Sequence, residues 1–359
     1  MEKVQLEELL ASLVSNGGST LHLMAGRAPC LRIQGNLVVA EQDRLSCEDI
    51  DELTKDFLFA DHRERLGRSE EVEILYSSAE DVRFRTTVIP QSKGLSLVFR
   101  RVPKEIPDFE GLGLPELFED FAGLKSGLFL LTGFFGSGKS TTMASLVDRI
   151  NERSPRQIIT LENPIEFIHR QRMGYLHQRE IGTHVRDVVS GIRDAYHQGA
   201  EVIYVSELDS VEVMIAALEA AERGCLVLAS THASSILGAL SKLFKCSGEE
   251  SLERLRERFS RCLRVMVSQA LLRQRHGTGR VPLLEIMIKN QAVASAIAAG
   301  HFEELMEIMA RGKGLGMQTT DMALRRLVSK KLISGEEAMY HAADREWVGA
   351  RAHASKTHA

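Results

Sequence analysis

The chain has 359 residues, 44% of them hydrophobic and 26% charged, with a formal net charge of −4. That is enough for two domains with cores of their own, and the charge balance excludes the dominant basic footprint of a nucleic-acid-binding protein. No apolar run reaches the roughly 18 residues of a membrane span. The opening MEKVQLEELL is an acidic helical pattern without the apolar core of a signal segment, so the expected location is the cytoplasm. The cysteines at Cys30, Cys47, Cys225, Cys246 and Cys262 form no C-x-x-C pair, as expected of reduced core thiols and not of disulfides or a zinc site.

Residues 1–101 predict a small α/β domain. VQLEELLASLVS has helical periodicity and stops at Asn16-Gly17-Gly18. TLHLMAG, CLRIQG and LVVAE follow as short strands, then a helix capped by Ser46. EVEILYSS, VRFRTTVI and LSLVFRRV read as three further strands. The proline- and glycine-rich residues 102–115 read as a linker. From 116 to 290 the apolar runs GLFLLTG, RQIITLE, EVIYVSE and CLVLAST alternate with helical stretches at 139–152, 184–197 and 210–223. This is the pattern of parallel βαβ units around a sheet buried on both faces. From about residue 249 the chain reads as mostly helical. Residues 252–280 carry an apolar stripe of Leu252, Leu255, Phe259, Cys262, Val265 and Met266 at helical spacing, with the arginines on the wet face. Residues 291–345 form a helical C-terminal region in which Thr319 caps a helix, and 346–359 a disordered tail.

The most informative stretch is GFFGSGKSTT at 133–142, which fits G-x-x-x-x-G-K-[S/T] between a strand and a helix. Gly133, Gly136, Ser137, Gly138, Lys139, Ser140 and Thr141 are the candidate phosphate-binding residues. The amides of Gly136 to Ser140 can wrap a β-phosphate at the positive end of the helix, Lys139 can reach the β- and γ-phosphates, and Ser140 can hold Mg²⁺. ATP and Mg²⁺ are therefore the expected cofactors. Glu207, after VIYVS, can hold a magnesium-bound water. Glu162, ending IITL, can orient the attacking water as general base, and Thr231-His232 can sense the γ-phosphate. Each alone could be a solvated strand end; at the C-terminal ends of three parallel strands they converge on one crevice.

TLENPIEF (160–167), HQREIG (177–182), VSELDS (205–210), STHASS (230–235) and GLGMQTTD (314–321) resemble the retraction ATPases of type IV pili, the PilT/PilU-like branch of the secretion-ATPase superfamily. Residues 17–37 and 83–102 resemble the same family. The resemblance implies a PAS-like N-terminal domain, a RecA-like P-loop ATPase core and a ring of six subunits, either homomeric or mixed with a paralogous retraction ATPase. It implies nucleotide between the two domains, reached by arginines of the N-terminal one: by position Arg85 and Arg100, with Arg83 as a possible helper. On the residues alone, the same arginines fit an edge strand kept soluble by charge. The implied activity is ATP hydrolysis that drives pilus retraction at the inner face of the inner membrane, through an inner-membrane pilus platform protein. Nucleic acid is not an expected partner, because aromatic residues are not interleaved with the arginines.

Several family positions are changed. Asn163 follows Glu162 where the family has aspartate, Phe134-Phe135 replace Pro-Thr, and Lys93 stands for an arginine. YHQGAE puts His197 in place of an arginine and Gly199 and Glu201 in place of aspartates. Ser206-Glu207 replaces Gly-Glu, and Asp209 an arginine. Arg223-Gly224-Cys225 replaces Thr-Gly-His, and AVASAIAA (292–299) lacks the two arginines of the retraction signature. These changes leave Lys139, Ser140, Glu162 and Glu207 in place. They open two alternatives: an accessory nucleotide-binding subunit with weak or no hydrolysis, and a related secretion-system ATPase.

Overall fold

The computed structural model describes residues 3–33, 36–55, 57–102, 105–245, 249–277 and 279–343. The chain divides into two units, residues 1–105 with 164–168, and residues 106–163 with 169–359. The expectation for 346–359, and Cys246, lie outside the described residues.

The first unit opens with α1 (Lys3–Ser15). Leu6, Leu9, Leu10 and Leu13 recur every three or four residues and are all buried, the stripe expected of a helix lying on a core. The chain leaves α1 through Gly17 at φ 63°, a conformation that glycine adopts without strain. Then come β1 (Thr20–Met24), β2 (Cys30–Ile33), β3 (Asn36–Val39), α2 (Cys47–Lys55), α3 (Ala60–Gly67), β4 (Val72–Ser77), β5 (Arg83–Gln91) and β6 (Gly94–Val102). Ser46 caps α2 reciprocally: its hydroxyl accepts from the Asp49 amide at 3.1 Å, and its own amide donates to Asp49 Oδ2 at 2.8 Å. The six strands form an antiparallel sheet in the order β3-β2-β1-β6-β5-β4. Phe84, Thr86 and Val88 of β5 and Leu97 and Phe99 of β6 point into the core. By the two-residue period, Arg83, Arg85 and Arg100 therefore stand on the opposite face. The edge-strand reading of these arginines fails: β5 and β6 are interior, and β3 and β4 form the edges.

The second unit contains α4 (Leu117–Ala122), β7 (Gly127–Thr132), α5 (Lys139–Arg153), β8 (Gln157–Glu162), β9 (Tyr175–Glu180), α6 (Val188–His197), β10 (Val202–Val205), α7 (Val211–Glu222), β11 (Leu226–Thr231), α8 (Ile236–Phe244), α9 (Glu249–Cys262), β12 (Leu263–Arg273), β13 (Arg280–Ile288), α10 (Gln291–Ala299), α11 (Leu305–Arg311), α12 (Thr320–Ser329) and α13 (Gly335–His341). The sheet order is β13-β12-β7-β11-β10-β8-β9, parallel throughout except for the β12–β13 hairpin. All six residues of β7 and of β11 are buried, as a doubly covered sheet requires.

Two sequence expectations change here. Phe109 and Leu114, inside the stretch read as linker, are buried in the core under β7, so from Ile106 on the chain belongs to the second unit. Residues 252–280 are not one helix. The helix ends at Cys262 and the chain becomes a buried strand beside β7, where Val265, Met266 and Val267 fill the core. A short apolar run has the same composition in either state, and only the sheet neighbour decides. β12 and β13 pair antiparallel from Val265–Ile288 to Arg273–Arg280, and beyond them the Gln274 amide donates to the Gly279 carbonyl at 3.1 Å. Thr319 caps α12 as expected, its hydroxyl accepting from the Met322 amide at 3.4 Å. Among the cysteines described, Cys225 and Cys262 are buried, Cys30 is half-buried and Cys47 is exposed. Among the described residues no helix is long and apolar enough to cross a membrane.

Candidate functional site

The loop between β7 and α5 is shaped by its glycines. Gly136 and Gly138 have φ of 77° and 87°, a region costly for residues with a Cβ. A Cβ on Gly133 would come within 2.4 Å of the Gln269 carbonyl oxygen and of Ser137 Oγ. Gly138 is the N-cap of α5, so the amides of Lys139, Ser140 and Thr141 open the helix at its positive end. Ser137 Oγ is buried and meets no hydrogen-bond partner. Helix-terminal amides, a buried orphan hydroxyl and a buried lysine form a cradle that suits an anionic phosphate.

Lys139 Nζ is turned back into the loop and donates to the carbonyls of Gly133 at 2.7 Å and Phe134 at 3.1 Å. His232, just past β11, stands 3.4 Å away through Nδ1. Its Nε2 is 2.9 Å from Glu207 Oε1. An ammonium only donates, so Nδ1 accepts and Nε2 carries the proton toward Glu207. The His232 ring thus links the loop lysine to the glutamate after β10. Glu207 is about half exposed, on the loop past the strand end.

Glu162, the last residue of β8, is buried and accepts at Oε1 from Thr160 Oγ1 at 2.6 Å and from Gln178 Nε2 at 3.1 Å. The structure therefore brings Lys139, His232 and Glu207 together and sets Glu162 at the C-terminal end of a strand in the same sheet. Phe134 and Phe135 do not pack beneath the loop; each is 65% exposed.

Gln269 escaped the sequence reading. On β12 it accepts from Thr142 Oγ1 at 2.9 Å and donates to the Ser137 carbonyl at 2.8 Å, tying α5 and the loop to the neighbouring strand. Its segment reads in sequence as the continuation of a helix, which hides the signal. Gln178 and Glu166 lay inside recognisable motifs, but nothing in one sequence gives their partners.

In the first unit Arg85 is not presented to solvent. Its guanidinium meets Glu73 through Nε at 3.0 Å and Nη2 at 2.5 Å, and Glu166 through Nη1 at 2.8 Å. Burial opposes its charge, yet the two carboxylates outweigh burial and raise its pKa. Glu166 belongs to the five-residue excursion 164–168 that groups with this unit. Arg100 lies directly across from Arg85 in the register. Arg83 Nη1 is buried without a partner, and burial lowers the Arg83 pKa. His22, on the same face, has its pKa lowered by burial and then by Arg32 and Arg100.

Two of the changed positions meet elsewhere. His197 and Arg223 line a surface groove between α6 and α7, and the Arg223 guanidinium lies 4.7 Å from the centre of the Tyr196 ring. Asp209 is exposed, as is Lys93 at the β5–β6 hairpin. AVASAIAA forms most of α10, which buries Val293, Ala296 and Ile297.

Residues 63–338 match the family described as type II/IV secretion system protein. The chain is 32% identical over 335 residues to the type IV pilus retraction ATPase PilT of Pseudomonas aeruginosa, covering 93% of this chain and 97% of that protein. It is 31% identical to the type IV pilus ATPase PilU of the same organism, over 94% of this chain and 89% of that one. A crystal structure of the pilus retraction motor PilT with bound ADP superposes with a TM-score of 0.85 at 32% identity, over 95% of this chain and 97% of the other. The two-sheet α/β fold and the ordered motifs thus agree with full-length relatives, and the chain belongs to the type II/IV secretion system family, in its PilT/PilU-like retraction-ATPase branch.

Proposed function

We propose that the protein is a cytoplasmic ATPase that powers type IV pilus retraction, and so twitching motility, at the inner face of the inner membrane. It would act as a homo-hexamer or in a mixed ring with a paralogous retraction ATPase, against an inner-membrane pilus platform protein. The observation that carries this reading is the phosphate loop with Lys139 joined through His232 to Glu207.

In this reading the amides of Gly136 to Ser140 hold the β-phosphate of ATP, with Gly133, Ser137 and Thr141 shaping the loop. Lys139 exchanges the Gly133 and Phe134 carbonyls for phosphate oxygens, so its ion pairing costs no new desolvation of the ammonium. Ser140 would hold Mg²⁺ directly and Glu207 through a water, and the metal supplies charge neutralisation. Glu162 orients the attacking water. His232 senses the γ-phosphate, because a change at Nδ1 reaches Glu207 through the same ring. Arg85 and Arg100 supply positive charge to the transition state from the N-terminal unit, which requires Arg85 to leave its carboxylates.

Steady-state phosphate release by purified protein with ATP and magnesium tests the reading. Turnover that is lost in Lys139→Ala supports it; absence of adenine-nucleotide binding by calorimetry removes it. The changed positions Asn163, His197, Asp209 and Arg223 favour a second reading, an accessory subunit that binds nucleotide and modulates a paralogue. Binding without turnover above the Lys139→Ala control selects that reading.

A further inference from the structure

Gln178 joins three pieces of backbone. The β8–β9 register sets it directly across from Thr160, so it shares a sheet face with Thr160 and with Glu162 two residues on. Its Nε2 donates to Glu162 Oε1 at 3.1 Å, and its Oε1 accepts from the His169 amide at 2.9 Å. Glu162 precedes the loop 163–168 and His169 follows it. One side-chain amide therefore spans both ends of that loop, with nitrogen and oxygen each committed to one end. Residues 164–168 group with the N-terminal unit, where Glu166 is paired with Arg85.

We infer that Gln178 is a positioning residue: it fixes the Glu162 carboxylate and clasps the loop, so that Glu162 is aligned only while residues 164–168 are seated. Release of Arg85 from Glu166 frees the loop, and the loop reports to Glu162 through the clasp. Thr160 holds the carboxylate from its own strand, whereas Gln178 joins it to the residue that follows the loop.

This inference rests on Glu162 acting as the water-orienting base, so the test separates the two. Gln178→Ala and Gln178→Glu are compared with Glu162→Gln by turnover, nucleotide affinity, pH profile and deuterium uptake of the peptide covering 163–170. Both Gln178 variants are expected to lose about tenfold or more in kcat with KM changed less than about twofold, the mark of an interaction acting on the chemical step. Gln178→Glu keeps the acceptor for His169 but sets a carboxylate against Glu162, so the acid limb of its pH profile moves to higher pH. Gln178→Ala speeds exchange in 163–170, and Gln178→Glu does not. Full kcat in both Gln178 variants beside an inactive Glu162→Gln overturns the positioning role and leaves the base intact. Full turnover in Glu162→Gln overturns the base assignment; exchange in 163–170 that is unchanged in Gln178→Ala overturns the clasp, whatever the turnover.

Discussion

The two sheets of this protein present their chemistry in different places. In the parallel sheet, Glu162 ends β8, Glu207 follows β10, His232 follows β11 and the phosphate loop follows β7. β7 and β11 are buried on both faces, so the groups that can meet a ligand stand where the chain leaves those strands. In the antiparallel sheet, Arg85 and Arg100 stand inside their strands and Arg83 opens β5, all on the face that alternation turns away from the core. A doubly covered sheet must place function at its rim, whereas a sheet with one free face can place it anywhere along a strand. The rim is fixed by backbone, while the face is held by side chains such as Glu73 and Glu166.

Substitutions sharpen or break this contrast. The largest effect is expected at the rim: Glu207→Gln should lower ATP turnover by about 10²–10³, measured by phosphate release, with nucleotide affinity nearly kept. Near-normal turnover would mean that the half-exposed carboxylate is only a partner for His232. On the face, Arg85→Ala should cost about 10–10²-fold in kcat, and Arg85→Lys should not restore it, because lysine lacks the fork that engages two carboxylates or a phosphate. Full rescue by lysine would reduce the face to a diffuse positive field.

Stability offers smaller effects. Ser46→Ala and Ser235→Ala, at the starts of α2 and α8, should each cost about 1 kcal/mol in denaturant unfolding, since each hydroxyl accepts from a first-turn amide. Unequal costs would show that one unit tolerates a frayed helix better. The subtlest effect is at Glu285, buried on β13, whose pKa is raised by burial even though it accepts from the Ile236 amide, with Asp321 adding to the rise. A raised folded-state pKa gives stability that is full below the unfolded value and lost as pH rises through the folded one. Glu285→Gln keeps the acceptor and removes the titration, so its melting temperature should exceed that of the parent at pH 8, with the gain gone near pH 4. An equal gain at both values would point to packing.

Much of the second unit was legible because its signals are local. The phosphate loop needs glycines at fixed spacings, and β7, β8, β10 and β11 are apolar runs closed by polar residues. β12 and β13 were missed because Leu263–Arg273 follows directly on a helix and carries no break at Cys262; its burial beside β7 is a fact of the sheet and not of the segment. Gln269 and Gln178 were missed for a related reason. A glutamine's two hydrogen bonds go to residues far away in sequence, and its local preference is the same whether it clasps a loop or faces water. The positions of Glu162, Glu207 and Lys139 could be named from their neighbours, but the carboxylates around Arg85 could not.

The excursion at 164–168 also constrains how such a chain can be divided or recombined. A gene split near residue 105 would send Glu166 away with the half that lacks Arg85 and Glu73, and a domain exchanged with a relative would carry five residues matched to the wrong host. Inheritance of the two halves is thereby bound together by a segment shorter than either neighbouring helix.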